Sequence, residues 1–249
     1  MNDSVDVQDT AVANVTPGGA LALPTSSKDN STFYDNAGSS FLSRVQLYSK
    51  GKAVDNQLIA TRHYGVPGAG DKIADLGDAP DFLVLARRPK AVTFEHPDFP
   101  IVQSFDPESE LFQQISDRKD EGGDDNGACV GISFLLFERT TQNFLEYYAS
   151  SKSALMAADT LFGFLPTEGQ SIDDLKAVTF GSQVINGKKF SWVAPTFTGC
   201  STPITGCCPT KAVAEMTKFL EAKDTDMSQA STEASAEETA AAAAGNARR

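Results

Sequence analysis

Alternation and periodicity divide the chain into strands and a few helices. Phe41-Leu42-Ser43-Arg44-Val45-Gln46-Leu47-Tyr48 alternates from Ser43 onward, the pattern of a half-buried strand, and Lys50-Gly51-Lys52 turns the chain after it. Ile73-Ala74-Asp75-Leu76 and Phe82-Leu83-Val84-Leu85-Ala86 read as short strands on either side of a turn at Gly77-Asp78-Ala79-Pro80. The second is apolar throughout, which predicts burial on both faces; Arg87-Arg88-Pro89-Lys90 follows it, and Ala91-Val92-Thr93-Phe94 resumes. Asp106-Pro107-Glu108-Ser109-Glu110 has proline and acids where a helix begins, and Leu111, Phe112 and Ile115 supply an apolar face, so a helix is expected over 107–118. Ile132–Arg139 and Phe144–Ala149 predict a hairpin, and Ser153–Leu165 a short helix stopped by Pro166. Leu175–Ile185 and Lys188–Phe197 predict a second hairpin turning at Asn186-Gly187, the strongest short hairpin signal in the chain. Val213, Met216, Phe219 and Leu220 have helical spacing, with Thr210 as cap, so a last helix is expected over Pro209–Lys223.

Loops are expected at the glycine-rich His63–Gly70, at His96–Pro100 and at the acidic 120–127. Many strands, one or two helices inserted late and one terminal helix describe a β-rich α+β domain. A five-stranded, OB-like, partly open β-barrel with a helix between its third and fourth strands fits that order. The ends do not fit a core. Residues 1–32 are polar, and 224–249 are acidic and then alanine-rich, so both are expected to be disordered, leaving one globular domain over 33–223.

The net charge of −12 places −3 in each terminal segment and −6 between them. A nucleic-acid binder of this composition needs a local basic site on an acidic body. No stretch has the length of a membrane span and the start has no apolar leader, so a soluble, cytoplasmic protein is expected.

Basic and aromatic side chains interleave in several of the predicted strands. Lys188, Lys189, Phe190 and Trp192, the only tryptophan, lie on one hairpin. Arg87 and Arg88 follow a strand, Arg139 and Lys152 flank the 132–149 hairpin, and Tyr48 closes the first strand. A single-strand binder needs cations to displace condensed counterions and flat side chains to stack bases. The same aromatics suit a sheet core, so both readings stand at this point.

Other chemistry finds less support. Cys129, Cys200, Cys207 and Cys208 include no C-x2-C pair, so free thiols are expected and no zinc site. Asp71, Asp75, Asp78 and Asp81, the acids of 120–125, and Asp173-Asp174 sit at turns, where aspartate bonds the backbone locally; a metal-dependent nuclease built on them is the least favoured reading. Phosphate-loop, H-E-x-x-H and G-x-S-x-G motifs are absent, and no enzyme activity, cofactor or metal is expected.

Three segments resemble the single-stranded DNA-binding proteins of tailed bacteriophages: Ser43–Lys52, Phe82–Lys90 and Lys188–Pro195. The resemblance covers about residues 40–205. It implies an OB-type barrel, sequence-independent binding of single-stranded DNA during replication or recombination, and an acidic tail that contacts replication proteins. This chain departs at the tail, which ends Gly245-Asn246-Ala247-Arg248-Arg249. Under this reading Arg87, Arg88, Lys188 and Lys189 contact phosphates, with Arg139 and Lys152 beside them, and Trp192, Phe190 and Tyr48 stack on bases. The alternative is a structural or assembly protein of a virion, for which the same strands are a scaffold.

Overall fold

In the computed structural model, residues 42–49, 52–54, 57–59, 61–67, 73–93, 101–122 and 127–226 are described. The strands are β1 (Arg44–Leu47), β2 (Lys52–Val54), β3 (Gln57–Ile59), β4 (Tyr64–Pro67), β5 (Ile73–Gly77), β6 (Asp81–Thr93), β7 (Val102–Ser104), β8 (Ala128–Glu138), β9 (Phe144–Ala149), β10 (Val178–Asn186), β11 (Ser191–Gly199) and β12 (Thr225–Asp226). The helices are α1 (Glu110–Gly122), α2 (Lys152–Ala158), which continues as a 3-10 segment over Asp159–Phe164, and α3 (Pro209–Glu221). The segments 1–32 and 227–249, the His96–Pro100 loop, residues 123–126 of the acidic loop and 68–70 of the glycine-rich stretch lie outside the described residues.

The chain is a sheet-rich α+β fold. Its main sheet runs β11-β10-β6-β8-β9-β1-β4-β5, and β7 and β12 extend the far end of β6. Only β1 and β9 are parallel, with Val45 beside Tyr147. The hydrogen-bonded ladder does not close on itself. The sheet curls instead until β4 faces β10, where the Tyr64 hydroxyl donates to the Gly181 carbonyl at 2.7 Å.

β6 departs from expectation. It runs unbroken through Arg87-Arg88-Pro89-Lys90 for thirteen residues. Its outer edge explains the tolerated proline: β10 pairs only with Asp81 and Phe82, and β7 only with Ala91 and Val92, so neither lies against Pro89. A register shift against β8 between Val84 and Ala86 has a second effect. One extra residue reverses the faces of everything after it. Leu83, Leu85 and Ala86 pack in one cluster, so Arg88 and Lys90, not Arg87, continue on that cluster's side.

Each face of the sheet carries a core. One packs Phe134, Tyr147, Phe180, Phe197 and Tyr64 beneath α2 and its 3-10 extension. The rings meet edge to face, with Tyr147 and Phe180 centroids 5.2 Å apart and Phe180 and Phe197 4.6 Å apart. The other core seats Met216 and Phe219 of α3 on Leu83, Leu135 and Phe137. Phe112 and Ile115 of α1 cover Ala91 and Ala128 at the far end of β6 and β8.

The helix ends shift modestly from the sequence expectation. α1 begins at Glu110, because the Asp106 carboxylate and the Pro107–Ser109 turn precede it. α3 has Cys208 as N-cap and Pro209 at its first turn, in place of Thr210. The globular part also runs past residue 223. Asp224 accepts hydrogen bonds from the Phe105 N–H at 3.0 Å and the Ser109 hydroxyl at 3.2 Å, and Thr225 and Asp226 pair with β7.

Candidate nucleic-acid interface

The β10–β11 hairpin is the expected one, with a different turn. Asn186 pairs with Ser191, so the loop is the four residues 187–190, not Asn186-Gly187 alone. Lys188 and Lys189 therefore sit in the loop and not at a strand start. The Gly187 N–H donates to the Phe190 carbonyl at 3.0 Å, and the Ser191 hydroxyl to Asn186 Oδ1 at 2.7 Å. Glycine is needed at 187, because a Cβ there would stand 2.8 Å from Trp192 Cζ3 and 2.9 Å from the Phe190 carbonyl oxygen. The Trp192 ring is laid over the turn.

The outer half of this hairpin is an arm. β10 bonds β6 only near its base, the last contact being Phe180 N–H to the Pro80 carbonyl. Beyond Ser182 its paired neighbour is β11, and four further residues carry Asn186 ~13 Å outward at about 3.3 Å each. The arm is wet and apolar at once. Phe190 is 70% exposed, Val184 50% and Trp192 38%, and Lys188 and Lys189 are exposed beside them. The Phe190 and Trp192 rings touch, with centroids 5.7 Å apart and planes at 53°.

Arg62 holds the arm's root. Its Nε donates to Ser182 Oγ at 3.1 Å and a terminal nitrogen to the Ser182 carbonyl. Its φ of 72° lies in the left-handed region, rarely occupied by a residue with a side chain, and its N–H donates to the Tyr48 carbonyl. Tyr48 is thus beside the root of the arm, half-buried, with burial raising its phenol pKa. Beside Arg62, His63 Nδ1 lies 3.0 Å from Asp75, whose carboxyl is held below its usual range against burial by the Gly77 N–H and by His63.

The remaining predicted cations are not brought to this arm. Arg87 is exposed and its guanidinium lies over the Phe162 ring at 4.3 Å. Lys152 is exposed and begins α2 after Ala149, which pairs with Ile132 and so stands level with Pro89. Arg139 follows Glu138, which pairs with Phe82; about six residue steps along β8, ~20 Å of strand, separate the two levels. Arg139 is occupied as well, pairing with Asp81 at 3.2 Å and donating to the Thr202 carbonyl at 2.7 Å.

Arg88 is turned inward, which corrects its expected role at phosphates. It lies between Phe105 and Phe219, its guanidinium 3.5 Å and 4.1 Å from the two ring centroids, and donates to the Phe219 carbonyl. Burial lowers its pKa to about 10, against the opposing pull of Glu146. Beside it Lys90 Nζ bonds both Glu146 oxygens, at 2.9 and 2.8 Å, and the Ser133 hydroxyl donates to the same carboxylate. Arg44, next to Glu146 across the β1–β9 pair, lies over the Tyr148 ring at 4.9 Å. Burial would raise the Glu146 pKa, but the charge and hydrogen bonds of Lys90, the Ser133 bond and the Arg88 charge together hold it below the usual range. Lys90 moves the other way: burial lowers its pKa, and Arg88 and Arg44 add to that effect while Glu146 resists it. Burial is thus the main cause for Lys90, with the neighbouring cations adding to it, while Lys90, Ser133 and Arg88 set the direction for Glu146. The cluster belongs to the interior and not to the interface.

Sequence reasoning missed Arg62 and Arg44. Neither has a local pattern that marks it, because each acquires its role from a non-local neighbour, Ser182 and Glu146 respectively. None of the four cysteines is in a disulfide, and burial is foremost in raising the Cys207 pKa to about 11. Among the described residues no group of three or more His, Cys, Asp or Glu is placed to hold a metal ion, and no helix is long and apolar enough to cross a membrane. In comparisons with protein-family models, curated proteins and solved structures, nothing matches the chain.

Proposed function

We propose that the chain binds single-stranded nucleic acid without sequence preference, single-stranded DNA being the expected ligand, and that the β10–β11 arm is the contact. The observation that carries this reading is the exposure of Phe190 and Trp192 beside Lys188 and Lys189 on a hairpin clear of the sheet. Large aromatics are usually buried, and a domain that holds two at a solvated tip has left its best core material outside. A stacked base is worth ~1–3 kcal/mol per ring, and each lysine at a phosphate releases about one counterion. A net charge of −12 gives a polyanion no overall attraction, so binding depends on a local basic site such as the tip. A sheet curled around the Phe180 cluster suits the OB-like, partly open barrel of this reading, and a role in phage replication or recombination goes with it.

The test is titration of Trp192 fluorescence with a homopolymeric single strand over a salt series. Saturable quenching, with affinity falling linearly on a log–log plot against salt, is the expected result. Absence of saturable binding at low salt would leave the arm as a protein contact of a virion assembly component.

A further inference from the structure

We infer that the arm is a wedge that recognises the junction between paired and single strands, Phe190 entering the stack at the last base pair. This rests on the single-strand reading and extends it to a structured substrate. A protein that tracks an extended strand uses a groove spanning roughly 4–16 nucleotides. The cations such a groove would need are dispersed here: Arg88 is held between Phe105 and Phe219, Arg87 lies over Phe162 midway along β6, Arg139 is paired with Asp81, and Lys152 sits at the opposite end of the sheet from Arg139. What remains is a point contact four residues wide.

That point is braced. Phe190 leans on Trp192, Trp192 lies over Gly187, and Arg62 fastens the root to Ser182. The ring contact leaves no slot for a base, since a base between two aromatics needs parallel planes and these meet at 53° in contact. A base must therefore meet the outer face of Phe190, while Lys188 and Lys189 flank it toward phosphates. This is the construction of an apolar wedge set between base steps. Energetics choose the substrate. A stacked ring raises affinity about 5- to 150-fold, and opening a step inside an intact duplex costs as much or more. The wedge is consequently disfavoured in duplex interiors, where a contact four residues wide offers little to repay the opening, and admitted at an end, where the terminal pair opens readily.

The probe is a forked oligonucleotide carrying 2-aminopurine at the last paired position, with a matched duplex carrying it at the centre. Saturating full-length protein is expected to raise 2-aminopurine emission at least twofold at the fork and leave the central probe unchanged. Phe190→Ala should lose most of that rise and keep the salt slope of binding, and Phe190→Trp should restore it. Circular dichroism melts of both variants check that they are folded. A fork bound to saturation with no rise, or a rise that Phe190→Ala retains, overturns the wedge while the single-strand reading stands. Failure of Trp192 to report saturable binding to the plain single strand overturns both.

Discussion

Replacing Glu146 by glutamine should damage this fold far more than replacing its partner Lys90 by methionine. A simple ion pair would give roughly equal losses, but this pair is not alone. Lys90 and Glu146 are 8% and 6% exposed, and Arg88 lies half-buried beside them with Arg44, also half-buried, across the strand. Glu146→Gln leaves three cations with no anion, and an uncompensated buried charge costs about 3–5 kcal/mol. Lys90→Met leaves the carboxylate with the Ser133 hydroxyl and the Arg88 charge, and places an apolar chain where an ammonium was disfavoured, so its cost should stay below about 2 kcal/mol. The pH dependence has a definite sign. The Glu146 pKa is depressed on folding, so its contribution is present above the unfolded value, about 4.3, and is lost as pH falls through the folded value. Stability of wild type and Glu146→Gln should therefore converge on acidification. The Lys90 pKa is lowered on folding, so its charged form opposes folding, and that penalty is relieved as pH rises toward the ordinary lysine value. Urea unfolding at pH 7, followed by far-ultraviolet circular dichroism because Trp192 reports only on the arm, gives both differences at constant m. Equal losses, or a larger one for Lys90→Met, would refute the three-cations-to-one account.

Replacing Lys188 and Lys189 together by alanine should lower the salt slope of single-strand binding by about one to two and change stability within ~0.5 kcal/mol, as titrations at several salt concentrations and urea melts will show. Arg62→Ala should weaken binding with the salt slope unchanged and should lower Trp192 fluorescence anisotropy, because Arg62 fastens the arm and does not meet the ligand; a slope lowered by one would make it a phosphate contact. Asp224→Ala should lower stability by about 1 kcal/mol through loss of the Phe105 and Ser109 bonds, measurable as a fall in urea midpoint.

Elements bounded by local chemistry were legible in the sequence. The 132–149 and 178–199 hairpins, α3 and the stop before Pro166 follow from alternation, turn residues and helical spacing. The exact turn at 187–190 was not, because Asn186-Gly187 reads as a two-residue turn until the Trp192 ring is known to lie over Gly187. The apolar run of Phe82–Ala86 reads as a strand of its own, with Arg87-Arg88-Pro89-Lys90 after it, whereas β6 continues through all of them. The structure resolves that through an edge left open between β10 and β7, and through a register shift that turns Arg88 and Lys90 toward Glu146. Of the candidate site, Lys188, Lys189, Phe190 and Trp192 are together and exposed as a surface role requires. Arg88 and Arg139 differ from them only in non-local partners, which no spacing along the chain reveals.

The side-chain closure between β4 and β10 has a mechanical consequence. Across that line the curled sheet is stitched by the Tyr64 and Arg62 bonds to Gly181 and Ser182, where a continuous ladder would share a load among many backbone bonds. A pull at the tip of the arm acts on a lever whose root includes this seam. Few bonds hold the seam, and the short β10–β6 pairing at the arm's base is the backbone link to the β6–β8–β9 ladder. Force on the arm is therefore expected to open the seam before it disturbs the long ladders of the body.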